Sequence, residues 1–371
     1  MAAQVKWVLC IDESGDFDTP TARVCVGGLL LQESDSSRLA QVLRAKLEDA
    51  FPHLPYPPHA TELHRLSSHL VGWRSLSPAR RAAVPSELAD PLTRAEQRVL
   101  TEADLPPELA AGSGRVLPRP KVPALDRCDA WLPRRAPEAR DELKAVRWKA
   151  DNRLKQLLDE LSRLYPGGCL TVAAAEPMGT MPGRGNDRYL NLLVVLFQRT
   201  IALLRSFQKP VHLSIRTAKR HVLRPTGVHT DLTQADVHLA FNEALRISGI
   251  GTPIHRVVVP PEDYGASVHP GLVLADHLMN QLRIQLTPRS WALLAQGFWR
   301  TTGVAVEMLD PLSGQPLPTV SANGPPRAFV EAVLTGQPPP DLAGVQPAWA
   351  VEEARLWLSA LDTQKRTGGK T

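Results

Sequence analysis

The sequence predicts an α/β protein in which helices surround a mixed β-sheet. Apolar, β-rich runs alternate along the chain with segments of helical periodicity, and clusters of Gly, Pro, Asn and Asp separate them. A hydrophobic content of 43% and a charged content of 22% over 371 residues indicate a chain that buries a substantial core.

The first two strands and the first helix are predicted from the N-terminal segment. Residues 5–12 and 22–32 are β-rich and are joined by turn-forming residues, which indicates a hairpin. Over residues 34–51 apolar side chains recur at helical spacing, so an amphipathic helix is expected to cover the sheet.

Residues 68–137 interrupt this pattern. They are dense in Pro, Arg, Ala and Glu, and prolines break every periodic run, which predicts an irregular and partly mobile insertion.

Regular periodicity returns after this insertion. The predicted elements are a helix over 138–164, a strand over 168–176, a helix over 187–206, a strand over 211–222, a helix over 236–247 with a capping box of Thr233 and Asp236, a strand over 255–260 and a helix over 269–283. These elements predict one domain over 1–287. Residues 288–371 form a Pro- and Gly-rich C-terminal extension with a short helix over 348–361 and a polar tail.

Composition excludes several classes of protein. The four cysteines include no CxxC pair, which argues against a zinc knuckle or a disulfide framework and favours a reducing, cytoplasmic location. The N-terminus lacks the features of a signal peptide, and the most apolar stretch, 189–204, is too short and too polar to span a bilayer. A net charge of +5 mildly favours polyanionic partners.

The first candidate site is the acidic end of the first strand. Asp12 and Glu13 follow an apolar run, and strand alternation places them on opposite faces, so Asp12 is the better candidate for a metal ligand. A carboxylate at a strand end suits Mg²⁺ or Mn²⁺, which can hold a phosphodiester and activate water. The alternative is an ordinary acidic turn.

Two further acids stand out by their surroundings. Glu62 lies between His59 and His64, whose spacing does not fit a zinc site; such histidines are more often surface groups. Asp276 falls at the edge of the buried stripe of an apolar helix, where the alternative is a boundary salt bridge with Arg283.

A basic cluster follows the strand over 211–222, and it could contact backbone phosphates, although most such clusters are solvated charge runs. Its members are Arg216, Lys219, Arg220 and Arg224. The sequence has no P-loop, dinucleotide fingerprint, nucleophile elbow or HExxH pair.

The segments IDESGD, HATELH and GLVLADHLMNQLR, in this order, resemble the domain of unknown function 3800 family across most of residues 5–287. The resemblance implies an RNase H-like fold in which acids from the first strand, a following segment and the last helix meet at a metal site. It implies Asp12, Glu62 and Asp276 as catalytic and metal-binding residues.

The chain departs from that family at the strand over 211–222, where relatives commonly have an Asp and this sequence has none. Glu176 or Asp231 could supply the missing ligand, and Glu13, Ser14 and Asp16 are further candidates beside Asp12. A degenerate, single-metal or inactive site is the alternative.

Three functions follow from these residues. The favoured one is a nuclease that uses Mg²⁺ or Mn²⁺ to hydrolyse DNA or RNA. The second is a non-catalytic module that binds nucleic acid or a protein partner. Phosphatase chemistry with Asp12 as nucleophile ranks last, because IDESGDF lacks the DxDx[TV] pattern.

Overall fold

The computed structural model describes residues 5–18, 24–33, 36–111, 120–164, 169–176, 186–205, 211–223, 228–248, 254–285 and 306–309. These residues form two compact units. The sheet unit comprises residues 1–36, 158–264 and 274–371, and the helical unit comprises residues 37–157 and 265–273. The single domain expected over 1–287 is therefore divided.

The helices and strands alternate in the way the sequence predicts for an α/β protein. The strands are β1 (Val5–Ser14), β2 (Val24–Glu33), β3 (Cys169–Glu176), β4 (Val211–Thr217), β5 (His221–Leu223), β6 (His229–Asp231), β7 (Ile254–Val258) and β8 (Val306–Leu309). The helices are α1 (Ser36–Ala50), α2 (Ala60–Leu63), α3 (Leu66–Ser75), α4 (Pro78–Ala82), α5 (Ser86–Leu100), α6 (Pro107–Ala110), α7 (Val122–Arg135), α8 (Pro137–Leu164), α9 (Asn186–Arg205), α10 (Gln234–Ile247) and α11 (Pro270–Gln285).

The main sheet is mixed and has six described strands in the order β7-β4-β1-β2-β3-β8. β1 and β2 form the predicted antiparallel hairpin, and β2 pairs antiparallel with β3. β4 is parallel to β1, and β7 is parallel to β4. The carboxyl ends of β1, β4 and β7 therefore lie at the same edge of the sheet, with β1 in its interior.

One face of this sheet is covered by α9 and α10. Trp7, Leu9 and Ile11 alternate along β1 and are buried against residues of these helices, including Phe197 and Phe241. Thr233 and Asp236 make the predicted capping box at the start of α10. The period-2 pattern of the strands and the helical pattern of α9 and α10 thus build one core.

Gly28 in β2 allows close approach to its neighbours. A Cβ atom at this position would collide with the carbonyl oxygen of Cys10 and would lie 3.1 Å from Cβ of Ala275 in α11. Cys25 in the same strand donates a 3.8 Å hydrogen bond from Sγ to the Met279 carbonyl of α11. The absence of a side chain at Gly28 helps to fix α11 against the hairpin.

Replacing Gly28 with Ala is expected to lower the free energy of unfolding by about 1–3 kcal/mol, because backbone atoms must shift to accept the methyl group. Gly265→Ala is the matched control, since a Cβ there would meet no atom within 4 Å. Thermal melts of both variants check this. A Gly28→Ala protein as stable as Gly265→Ala would contradict the close approach.

The expectation of an irregular insertion over 68–137 is wrong. This part of the helical unit contains α4 to α7 and most of α3, and α3, α5, α6 and α7 share a hydrophobic core. In α5 the buried residues Leu88, Leu92, Ala95 and Val99 recur at spacings of three and four, as in an amphipathic helix. The segment therefore folds around its own apolar residues.

The prolines in this segment mark helix starts more often than breaks. Pro78, Pro107 and Pro123 lie in the first turn of α4, α6 and α7, where a missing backbone N–H removes no helical hydrogen bond. Pro91 and Pro133 lie inside α5 and α7. Proline content alone was therefore a misleading sign of irregular structure.

Two other predictions change in detail. The segment over 288–371, expected as an extension, contributes β8, which pairs parallel with β3 in the main sheet; the helix predicted over 348–361 lies outside the described residues. All but the first residue of α1 belongs to the helical unit. Among the helices described, none has the length and apolar character needed to cross a membrane.

Candidate functional site

The carboxyl end of β1 delivers two adjacent acids and then turns sharply. Asp12 is buried, with 8% of its surface exposed, and Glu13 is partly buried. Gly15 follows with a φ of 112°, a backbone conformation that residues other than glycine rarely adopt. The sequence DESG therefore combines a strand end, two carboxyl groups and the glycine that the turn requires.

Asp276 lies in the part of α11 that belongs to the sheet unit, within a run from Gly271 to Asn280 in which every residue is buried. Only 7% of Asp276 is exposed. Tyr264 donates a 3.2 Å hydrogen bond from its hydroxyl to Oδ2 of Asp276. The side chain of Arg283, the salt-bridge partner considered from the sequence, lies outside the described residues.

Asp12 and Asp276 lie close enough for their charges to interact. Burial raises the pKa of Asp12 well above its ordinary value, and the negative charges of Glu13 and Asp276 raise it further. Asp12 and Asp276 are 264 positions apart in the sequence, so this proximity depends on the packing of α11 beside the hairpin. Two buried carboxyl groups that repel each other favour a proton or a cation between them.

Glu13 has a different environment. Burial raises the pKa of Glu13 above its ordinary value. Arg220, whose Nη1 lies 3.0 Å from Oε1 of Glu13, lowers that pKa, but by less than burial raises it. The side chains of Asp12 and Glu13 also interact with each other. The sequence favoured Asp12 over Glu13 as the ligand. In the structure Glu13 also interacts with Asp12, and its carboxylate is paired with Arg220.

The described members of the basic cluster are all paired with acids. Arg216 Nη1 lies 2.6 Å from Oε1 of Glu262, and Arg220 is paired with Glu13. Lys219 lies 3.3 Å from Asp263 and 3.7 Å from Asp231. These ion pairs reduce the positive charge available to phosphate, which weakens the interpretation of the cluster as a nucleic-acid contact. Arg224 lies outside the described residues.

Glu62 belongs to the helical unit, whereas Asp12 and Asp276 belong to the sheet unit. It is buried in α2, and its Oε2 accepts a 3.4 Å hydrogen bond from the backbone N–H of His59 in a capping box. This contact gives Glu62 a structural role, since it stabilises the first turn of α2. Its assignment as a third metal ligand stays a prediction.

The remaining candidates are spread along the same edge or beyond it. Ser14 is the last residue of β1, and the exposed Asp16 accepts the backbone N–H of Asp18 at 3.0 Å, as a turn residue does. Glu176 ends β3, but its side chain lies outside the described residues. The exposed Asp231 pairs with His221 and Lys219.

The sequence interpretation missed Glu262 and Tyr264. Glu262 follows β7 and hydrogen-bonds through its backbone N–H to Thr217 at the end of β4. The rule that singled out Asp12, an acid just after an apolar strand, applies equally to Glu262. Nothing in the sequence indicates that the Tyr264 hydroxyl contacts Asp276, since that contact depends on tertiary packing.

Asp12 and Asp276 offer carboxylate oxygens, the type of ligand that Mg²⁺ and Mn²⁺ prefer. Across the described residues, no group of three or more His, Cys, Asp and Glu side chains has the geometry of a metal site. Mg²⁺ commonly binds through one or two carboxylates and completes its coordination with water and substrate phosphates. Asp12 and Asp276 match that mode in the number and type of protein ligands.

No protein-family model matches this chain, and no curated protein or solved structure matches it either.

Proposed function

We propose that this protein is a metal-dependent nuclease that hydrolyses phosphodiester bonds of DNA or RNA with Mg²⁺ or Mn²⁺ at Asp12 and Asp276. The observation that supports this most is the convergence of these two buried carboxyl groups at the end of an interior strand. Burying two mutually repelling acids costs stability, so their placement favours a functional explanation.

The resemblance to the domain of unknown function 3800 family leads us to propose an RNase H-like architecture for the sheet unit. The mixed sheet, the position of β1 inside it and the packing of α11 beside the β1–β2 hairpin are compatible with that proposal. The resemblance also implies that acids of the first strand and the last helix form the metal site. Asp12 and Asp276 occupy those elements.

The side chains have distinct roles in this proposal. Asp12 and Asp276 bind the cation as carboxylates, and Tyr264 restrains Oδ2 of Asp276 by its hydrogen bond. A bound divalent cation would stabilise charge on a phosphoryl oxygen and supply hydroxide near neutral pH.

The experiment is to incubate the purified full chain with end-labelled single- and double-stranded DNA and RNA, in millimolar Mn²⁺ or in EDTA. Cleavage is expected only with Mn²⁺, and it should be lost in Asp276→Asn. Cleavage that continues in EDTA or in Asp276→Asn would contradict the proposal. Salt-sensitive binding without cleavage would favour the non-catalytic module instead.

A further inference from the structure

The guanidinium of Arg220 is enclosed by aromatic rings. It lies 4.8 Å from the ring centre of Phe17 and 4.3 Å from that of Tyr189, and these two rings pack edge to face at 5.5 Å. Cation–π contacts of this kind attract the guanidinium to the face of each ring and restrain its orientation. Only 16% of the Arg220 side chain is exposed, so little of it is available to a ligand.

The same guanidinium forms an ion pair with Glu13. Nη1 lies 3.0 Å from Oε1. Among the described residues Nη1 has no hydrogen-bond partner, so this attraction is one between charges and not an aligned hydrogen bond. Glu13 follows Asp12 directly in β1, so the contacts run from Arg220 through Glu13 to the part of the strand that carries Asp12.

The backbone around these side chains is also connected. Ala218 donates a 3.4 Å hydrogen bond to the Ile11 carbonyl, and the Arg220 carbonyl accepts one of 2.9 Å from Leu232. The buried Arg188 donates from Nη1 to the Phe17 carbonyl at 3.2 Å. The segment after β4 and the turn after β1 are therefore held to their surroundings by both backbone and side-chain contacts.

We infer that Arg220 is a positioning residue of the candidate site, which orients Asp12 through Glu13, and not a phosphate contact. This inference rests on the proposed function for its catalytic consequence. Groups that orient a metal ligand typically change affinity or activity by about 10–100-fold when they are removed.

The test measures cleavage of the labelled oligonucleotides with Mn²⁺ by Arg220→Gln, Glu13→Gln and the double variant. We expect Arg220→Gln to lower kcat by about 10–100-fold and to leave KM for the oligonucleotide nearly unchanged. In the Glu13→Gln background the same substitution should change kcat by less than about twofold, because the two residues act in sequence. Arg220→Lys, which keeps the charge, should restore part of the rate and guards against a failure of Arg220→Gln to fold.

Arg246→Gln is the matched control, since this exposed arginine of the same unit pairs with Glu243 and not with the site. A raised KM with unchanged kcat, or equal effects of Arg220→Gln in both backgrounds, would overturn the inference in favour of direct phosphate contact.

Hydrogen exchange at the amides of residues 15–18 needs no catalysis and should be faster in Arg220→Gln; unchanged exchange would also overturn the inference. A wild-type protein that cleaves nothing would instead overturn the proposed function, and the exchange result would still decide whether Arg220 orders this turn.

Discussion

Replacing Asp12 with Asn is expected to reduce Mn²⁺-dependent cleavage by about a thousandfold or more, because the loss of a charged metal ligand removes several kcal/mol of transition-state stabilisation. The substitution preserves the size of the side chain. The measurement compares initial rates for the wild type and the variant under the same metal concentration. Asp18→Asn, an exposed acid of the same turn, is the matched control and should retain its rate.

The same substitution is expected to stabilise the metal-free protein at neutral pH. The pKa of Asp12 is raised in the folded state, mainly by burial, so its proton is bound more tightly than in the unfolded chain. Such a group lowers stability as pH rises above its unfolded pKa, and Asn removes that cost. A higher Tm together with lost cleavage would indicate a functional acid; a lower Tm in Asp12→Asn would show that the carboxyl group supports the fold instead.

A second large effect is expected from two buried histidines of the helical unit. Nε2 of His69 lies 3.0 Å from the Leu63 carbonyl, and Nδ1 of His69 lies 2.8 Å from Nε2 of His53. Since a carbonyl can only accept, His69 carries its proton on Nε2 and accepts the N–H of His53 at Nδ1. Both rings have no exposed surface, and burial lowers the pKa of each, which keeps both neutral near pH 7.

Acid should destabilise the protein through this pair. Burial, followed by the neighbouring His69 and Arg153, lowers the pKa of His53 well below its usual value. For His69 the pKa falls to about 4, because burial and the nearby Arg147 and His64 outweigh the Leu63 contact.

The unfolded chain therefore binds more protons between about pH 6.5 and pH 4, so stability falls as pH is lowered through that range. At pH 4, His69 alone lowers the free energy of unfolding by about 3 kcal/mol.

Thermal melts between pH 7 and pH 4 test this prediction. The double variant His53→Gln/His69→Gln cannot take up these protons, so its Tm should depend much less on pH than that of the wild type. His229→Gln, which replaces an exposed histidine of the sheet unit, should keep the wild-type dependence. Parallel pH profiles for the wild type and the double variant would contradict the neutral pair.

The sequence predicted those elements whose periodicity is long and uninterrupted. The β1–β2 hairpin and α8 to α11 are in the expected places because each has an unambiguous apolar pattern and clear turn or cap residues. The helices of residues 66–135 were missed because prolines obscured a regular spacing such as that of Leu88 and Leu92. Proline in a first helical turn and proline as a helix breaker look alike in composition.

The candidate site was predictable only in part. Asp12 and Asp276 could be selected because a strand end and an apolar helix are unusual places for an acid. The contacts of Tyr264 and Arg220 depend on strand register and on packing between elements that are distant in sequence, and no local pattern encodes them. The same limit explains why Arg220 was assigned to phosphate binding when its charge is directed to Glu13.

The central claim is that Asp12 and Asp276 bind one divalent cation together, and calorimetric titration of Mn²⁺ into the metal-free protein tests it most directly. The wild type should bind with a stoichiometry near one, and Asp12→Asn and Asp276→Asn should each abolish that binding while Asp18→Asn retains it. Unchanged binding in either site variant, or no binding by the folded wild type, would contradict the claim.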